Sequence, residues 1–271
     1  MLSITTKEFT QLASFIKENY GINLKEEKMA LLAGRLYNVI QQGGFDSFGD
    51  YYDYIIKDKS GEAVITLVNK ITTNHTYFMR ESDHFHYFKE HVLPYLITHV
   101  KNKDLCIWCA ACSSGEESYT LAMLIDEYFG NSKCKWDTKI LATDISEKVL
   151  EAARLGIYSE DRVTPLPDIW KKVYFKNNRN GTVTITDRIK NEVIYRKFNL
   201  MEPSFPFKKK FHVIFCRNVM IYFDVKTKEE LIDKFYESME YGGYLFIGHS
   251  ESLNRETTRF KYVCPSVYRK I

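Results

Sequence analysis

Residues 104–129 read DLCIWCAACSSGEESYTLAMLIDEYF, and this stretch decides the fold class. Its first part, Leu105 to Ala111, is a short apolar run of the kind that forms a buried strand. Small residues follow at Cys112, Ser113, Ser114 and Gly115, and helical text begins at Glu116. Strand, small-residue turn and helix make the first half of a βαβ unit, in which a ligand can approach the backbone amides at the helix start. The turn is not G-x-G-x-x-G, so a dinucleotide pyrophosphate is poorly matched. Glu116 and Glu117 would repel a phosphate but suit a positively charged group such as an amine.

The alternation continues downstream. KILATD (139–144) reads as a strand and SEKVLEAARLG (146–156) as a helix capped by Ser146 and ended by Gly156. FHVIFC (211–216), KTKEELIDKFYESME (226–240) and GYLFIG (243–248) give strand, helix, strand, and FKYV with VYRK suggests a closing antiparallel pair. Such alternation predicts a mostly parallel sheet with helices on both faces and ligands at the carboxyl ends of its strands. Upstream, helical text from Ser82 to about Lys101 contains Pro94, which predicts a kink or restart. Residues 171–199 break the rhythm. TVTITD and EVIYRKF, with the turn NNRNG, read as a small antiparallel insertion.

The first 70 or so residues read as helices only. Thr5 and Glu8 form a capping-box pattern, followed by Phe9, Leu12, Ala13 and Ile16 at helical spacing. Met29, Leu32, Ala33, Leu36 and Ile40 make a second stripe, stopped by Gly43 and Gly44. Phe48, Tyr51, Tyr52 and Ile55 give a third, and Val64, Leu67, Val68 and Ile71 a fourth. These stripes read as core rather than partner surface.

Length and composition set the bounds. At 271 residues the chain has room for one or two domains, and 45% hydrophobic with 27% charged residues is ordinary globular composition. The formal charge of +3 is too weak to argue for nucleic acid or a membrane surface. It is an average, however. Residues 1–70 hold 8 bases and 9 acids, whereas residues 170–210 hold 11 bases and 3 acids, a local balance of +8 that fits a docking surface for an acidic partner. No apolar run is long enough to span a bilayer and the start lacks a signal-peptide layout, so a cytoplasmic protein with reduced thiols is expected. Cys106, Cys109 and Cys112 share C-x-x-C-x-x-C, but a strand turns Cys106 and Cys109 to opposite faces and no fourth ligand is near. His84, His86 and His91 do not gather on one helical face either, so no metal is expected.

Asp144 ends the second strand, where α/β nucleotide binders place an acid on ribose hydroxyls. With the acidic turn it suggests S-adenosylmethionine, which carries both an amino-acid tail and a ribose. Arg217 and Asn218 directly follow FHVIFC and face the expected crevice, and Arg80 lies in the junction segment 72–80.

ITTNHTYFMRE, IWCAACSSGEESYTLAM, LATDIS, VLEAARLGIY, FHVIFCRNVMIYFD and GYLFIGHSESL resemble the chemotaxis receptor glutamate methyltransferases, the CheR family, over nearly the whole chain. The resemblance implies a Rossmann-like α/β methyltransferase domain (82–271) with the small β insertion, preceded by an all-α domain (1–72) and a linker (73–81) that contributes to the cofactor site. It implies methyl transfer from S-adenosylmethionine to glutamate carboxylates on the cytoplasmic helices of membrane chemoreceptors, leaving S-adenosylhomocysteine. Cofactor contacts are implied at Asn74, Thr76, Arg80, one of Glu116 and Glu117, Asp144, Asn199, Leu200, Arg217 and Asn218, with Glu117 slightly favoured for the methionine amino group. Arg80 and Tyr222 are similar to residues lining the methyl-transfer centre. A monomer is expected, with neither nucleic acid nor membrane insertion. Some family members grip a receptor tether peptide through a Gly-containing turn in the insertion; here that turn, Lys176 to Gly181, has one glycine, which predicts independence of a tether.

Two other enzyme classes fit less well. A serine hydrolase needs a histidine after Ser250, and His249 is the last in the chain. Nucleic-acid amino methyltransferases often carry an Asn/Asp-Pro-Pro-aromatic motif where this chain has Arg217-Asn-Val-Met220. The remaining alternative is an S-adenosylmethionine-binding regulatory module without turnover.

Overall fold

The computed structural model describes residues 3–72 and 75–271. It divides into two compact units, Met1–His75 with Tyr222–Lys228, and Thr76–Ile221 with Glu229–Ile271.

The first unit is built on four helices, α1 (Thr6–Tyr20), α2 (Met29–Gly43), α3 (Phe48–Lys57) and α4 (Glu62–Ile71). The capping box forms: Thr5 Oγ1 accepts from the Glu8 amide and the Glu8 carboxylate accepts from the Thr5 amide, the kind of cap worth about 1 kcal/mol. Gly21 ends α1 in a left-handed conformation that glycine adopts without a Cβ penalty. The four stripes supply the core through Leu12, Ile16, Leu36, Ile40, Tyr51, Ile55, Leu67 and Val68, and Arg35 donates to the carbonyl of Ile71 at 2.5 Å, joining α2 to the end of α4. The segment Tyr222–Lys228 belongs to this unit. Ile22 pairs with Phe223, the Asn23 amide donates to the Tyr222 carbonyl at 2.8 Å, and Lys17 pairs with Asp224 at 2.8 Å.

The second unit opens with α5 (Ser82–Tyr87), a π turn over Phe88–Val92, and α6 (Leu93–His99). The restart expected at Pro94 takes this form, because proline has no N–H to continue an α ladder. There follow β1 (Ile107–Ala110), α7 (Glu116–Phe129), β2 (Ile140–Asp144), α8 (Glu147–Leu155), β3 (Ile157–Ser159), α9 (Asp168–Tyr174), β4 (Phe175–Asn177), β5 (Thr182–Ile185), α10 (Asp187–Lys190), β6 (Val193–Lys197), β7 (Phe211–Cys216), α11 (Val225–Glu237, in this unit from Glu229 on), β8 (Met239–Ile247), β9 (Lys261–Cys264) and β10 (Val267–Arg269). The main sheet has the order β6-β2-β1-β7-β8-β10-β9. Its first five strands are parallel, and β10 and β9 close it antiparallel. Strand order reverses between β1 and β7, the switch point at which open α/β sheets bind ligands.

Register explains the aromatic load. Cys109, Phe215 and Phe246 are cross-strand partners on one face, where Phe85 and Phe88 pack against Phe215. Trp108 faces the other way into Phe198, Phe205, Phe207, Phe211 and Phe235, and Phe235 belongs to α11. The sheet is thus covered on both faces by rings.

The small antiparallel sheet exists but is composed differently from the reading of residues 171–199. It has the order β3-β5-β4, so its hairpin is Phe175–Asn177 with Thr182–Ile185, and its third strand comes from upstream. Val193–Lys197, read as part of the insertion, instead pairs parallel with Ile140–Asp144 at the edge of the main sheet. The short helix α10 separates it from the hairpin, and Val193 and Tyr195 turn inward to the main core. No helix among the described residues is long and apolar enough to cross a membrane.

Candidate functional site

Because β2, β1, β7 and β8 are parallel, their carboxyl ends share one edge of the sheet. The turn after β1 is tightly wound, with positive φ at Ala111 (63°), Ser113 (50°) and Gly115 (95°). A Cβ at Gly115 would lie 2.8 Å from Tyr195 Oη and 2.9 Å from Ala153 Cβ, so this turn requires glycine there. The Cys112 amide donates to the Thr143 carbonyl at 2.8 Å, and the Ser113 amide to Asp144 Oδ2 at 2.9 Å. Asp144 also accepts from the Ser146 amide at 3.0 Å. Burial pushes the Asp144 carboxyl up, against the backbone N–H groups that favour its ionised form.

The two acids at the start of α7 have separate fates. Glu116 is fully buried, accepts from Ser114 Oγ at 2.7 Å and pairs with Arg162 at 2.5 Å. Burial raises its pKa, and the Ser114 hydroxyl and Arg162 charge oppose that rise. Arg162 also donates to the Thr76 carbonyl at 3.1 Å. Glu117 remains 15% exposed; it accepts from the Cys109 thiol at 3.0 Å and from Arg217 Nη1 at 2.7 Å. Burial holds the Cys109 thiol well above its ordinary range, so it stays a donor at neutral pH.

Arg217 leaves β7 with its side chain 1% exposed. Its Nη2 donates to the Arg80 carbonyl and, at 3.0 Å, to Glu81 Oε2, while the guanidinium lies 5.2 Å from the Phe85 ring centre. Its Nε is buried without a hydrogen-bond partner among the described residues. Asn218, at φ 60°, donates its carboxamide to Glu81 Oε1 at 3.0 Å and its amide to Glu251 Oε2 at 3.0 Å. Burial works against ionising Glu81, but the bond from Asn218 and the Arg217 charge outweigh it and hold the carboxyl below the usual range. The Glu251 carboxylate also accepts from the amides of Gly248 (2.6 Å) and Ile221 (3.2 Å). Past β6, the Phe198 amide donates to the Asp144 carbonyl at 2.9 Å, which sets Asn199 and Leu200 beside the end of β2. Asn199 accepts from the Met201 amide, and the Leu200 carbonyl accepts from Lys234.

Of the residues singled out in the sequence, Glu117, Arg217, Arg80 (through its carbonyl) and Asn218 therefore meet in one network. Asp144, Asn199 and Leu200 form an adjacent group, and Thr76 is reached by way of Arg162 and Glu116. Tyr222 is placed with the helical unit, and Asn74 lies outside the described residues. Glu81, Glu251, Arg162 and Cys109 were not foreseen as site residues. Glu81 adjoins Arg80 and Glu251 sits just past the strand GYLFIG, but no spacing in the sequence links positions 81, 217 and 251.

The donor set suits S-adenosylmethionine. A part-exposed carboxylate at Glu117 matches an amino group, a backbone-held carboxylate at Asp144 matches a pair of hydroxyls, and the unpartnered Arg217 Nε offers an anion donor in the same network.

Residues 7–72 match the CheR methyltransferase all-alpha domain, and residues 74–268 match the CheR methyltransferase SAM-binding domain. The chain is 43% identical over 272 residues to a chemotaxis protein methyltransferase of Borreliella burgdorferi, covering 99% of this chain and 96% of that one. It is 31% identical over 272 residues to the chemotaxis protein methyltransferase of Escherichia coli, covering 98% and 92%. A probable chemotaxis protein methyltransferase of Rhizobium etli is 35% identical over 268 residues, covering 94% and 99%.

Proposed function

Because the chain belongs to the CheR methyltransferase family across both of its domains, we propose that it esterifies glutamate side chains of chemotaxis receptors. It is a methyltransferase that uses S-adenosylmethionine, with a Rossmann-like α/β domain and an all-α N-terminal domain. The observation that carries the site assignment is the convergence of Glu117, Arg217, Asn218 and Asp144 at the carboxyl ends of three parallel strands.

When bound, the cofactor supplies an electrophilic methyl group on a sulfonium. On this reading Glu117 holds the methionine amino group and Glu116 does not, since Glu116 is fully buried and committed to Ser114 and Arg162. Asp144 takes the ribose hydroxyls, Asn199 and Leu200 border the adenine, and Thr76, Arg80, Arg217 and Asn218 complete the cofactor contacts, with Asn74 carried by the family resemblance alone. The acceptor is a glutamate carboxylate with a pKa of about 4.3, already ionised at neutral pH, so a strong general base is unnecessary. The enzyme's task is to orient that carboxylate and exclude water, and orientation alone can supply much of the rate. Arg80 and Tyr222 are assigned to that task.

The acceptor is an acidic receptor surface, and recognition does not depend on a tether peptide. Incubation with labelled S-adenosylmethionine and receptor cytoplasmic fragments, scored as base-labile methanol, tests the acceptor. Label that resists base would reject glutamate esters, and no label would favour a cofactor-binding module without turnover. Methylation that disappears when the receptor tail is deleted would reject tether independence.

A further inference from the structure

Two histidines lie beside the network without a place in the proposed chemistry, and both meet Glu81, which belongs to it. His84 on α5 and His249 just past β8 come together with Glu81, so that one donor atom from each falls within 4.8 Å of the others. His84 Nδ1 is 3.7 Å from Glu81 Oε2, and the two imidazole rings are 4.6 Å apart and crossed at 82°. The sequence grouped His84 with His86 and His91, whose spacing scatters them around a helix. The fold instead brings it to a histidine 165 positions away.

We propose that Glu81, His84 and His249 bind a divalent transition metal ion of the zinc type, and that its binding antagonises the cofactor. Zinc bonds of about 2.0–2.1 Å in tetrahedral geometry place two ligand atoms roughly 3.4 Å apart, so the Glu81–His84 separation is already close to that required. His84 is 2% exposed, and neither ring nitrogen has a hydrogen-bond partner among the described residues. A buried imidazole whose ring nitrogens lack partners, beside a carboxylate 3.7 Å away, is a costly arrangement without a ligand. His249 is exposed, which provides an entry path and leaves a position for water. Arg217 carries the opposing charge, but it is shared with Glu117 at 2.7 Å, so Glu81, Arg217 and Glu117 sum to −1.

Antagonism follows from what Glu81 already does. An ion on Oε2 takes the lone pair offered to Arg217 and to the His249 amide, and the guanidinium loses one of the anchors that set its orientation. This second half rests on the reading that Arg217 contacts the cofactor.

The test uses the full chain after chelation. Cobalt(II) titration should give the intense visible bands of four-coordinate cobalt, without thiolate charge-transfer bands, and H249A should abolish them. Zinc should weaken S-adenosylhomocysteine binding in calorimetry at least tenfold in the wild-type chain and less than twofold in H249A. Absent cobalt bands, or bands unchanged in H249A, would overturn the metal site. Unchanged S-adenosylhomocysteine affinity on zinc addition would overturn the antagonism. If S-adenosylhomocysteine fails to bind the chelated chain, the cofactor reading fails, and the cobalt spectra still decide the site.

Discussion

Arg217 and Glu117, one hundred positions apart, meet at 2.7 Å where β7 and β1 end side by side. Neither is committed to the other alone. Arg217 also holds Glu81 and the Arg80 carbonyl, and Glu117 keeps a part-exposed carboxylate supported by the Cys109 thiol. The pair is an internal ion pair placed where a ligand with an amino group can share one of its members.

Glu117→Gln and Glu116→Gln should therefore separate. Glu117→Gln removes the negative charge a ligand amine would meet and should weaken S-adenosylhomocysteine binding at least tenfold, with the melting temperature changed by only a few degrees. Glu116→Gln keeps the acceptor for Ser114 and relieves a buried charge, and should change affinity less than threefold. Calorimetry on both variants checks this, and the larger loss in Glu116→Gln would reverse the assignment.

Glu251 should matter without touching the ligand. Its carboxylate gathers the amides of Asn218, Ile221 and Gly248, and so ties the turn after β7 to the turn after β8. Hydrogen bonds to a charged group contribute about 1.5–3 kcal/mol each at most, and they are not additive. Glu251→Ala should cost about 2–4 kcal/mol of stability and loosen Asn218 from its left-handed conformation. Gly248→Ala probes the same contact by steric means, since its Cβ would lie 2.5 Å from Asn218 Nδ2. Both variants should lose cofactor affinity, measured together with urea unfolding. Full affinity in Gly248→Ala would show that the close approach is not needed.

The parallel sheet was legible because each strand is a short apolar run followed at once by a polar or small residue, as at Ala110, Asp144 and Cys216. Thr5, Gly21 and Gly156 marked helix ends by capping chemistry that is local in sequence. The edge strand Val193–Lys197 was misassigned because alternation identifies a strand but not its partner. Asp144 and Arg217 could be read because each stands at or next to a strand end, and Glu117 because it opens the helix after the turn that follows one. Glu81 and Glu251 act through backbone amides and side chains far away in the chain, and nothing local distinguishes such an acid from a solvated one.

His84 gives the chain a pH signature. Burial, with the charges of Arg217 and His249 nearby, pushes its pKa down to about 3, and the partial attraction of Glu81 does not restore it. The unfolded chain binds a proton at His84 below about pH 6.5 that the folded chain does not, so stability rises with pH between about 3 and 6.5. Going from pH 7.5 to 5.5 should remove about 1 kcal/mol through this group. In chelator, His84→Phe should flatten that part of the acid limb, as measured by urea unfolding at the two pH values. Equal pH dependence in wild type and variant would reject the effect.

The basic stretch 170–210 carries less available charge than its count of eleven suggests. Arg188 pairs with Asp126, Lys209 with Asp104, Lys171 with Asp168 and Lys176 with Asp187. Lys172, Arg179 and Lys197 are exposed on different elements, namely α9, the hairpin turn and the end of β6. If this surface steers an acidic receptor bundle, its contribution lies in the association rate and is screened over about 8 Å at physiological salt. Reversing all three to Glu should lower kcat/KM for receptor fragments about tenfold at low salt, and much less at 0.5 M salt, with S-adenosylhomocysteine affinity unchanged. A loss of equal size at both salt concentrations would assign these residues to direct contact rather than steering.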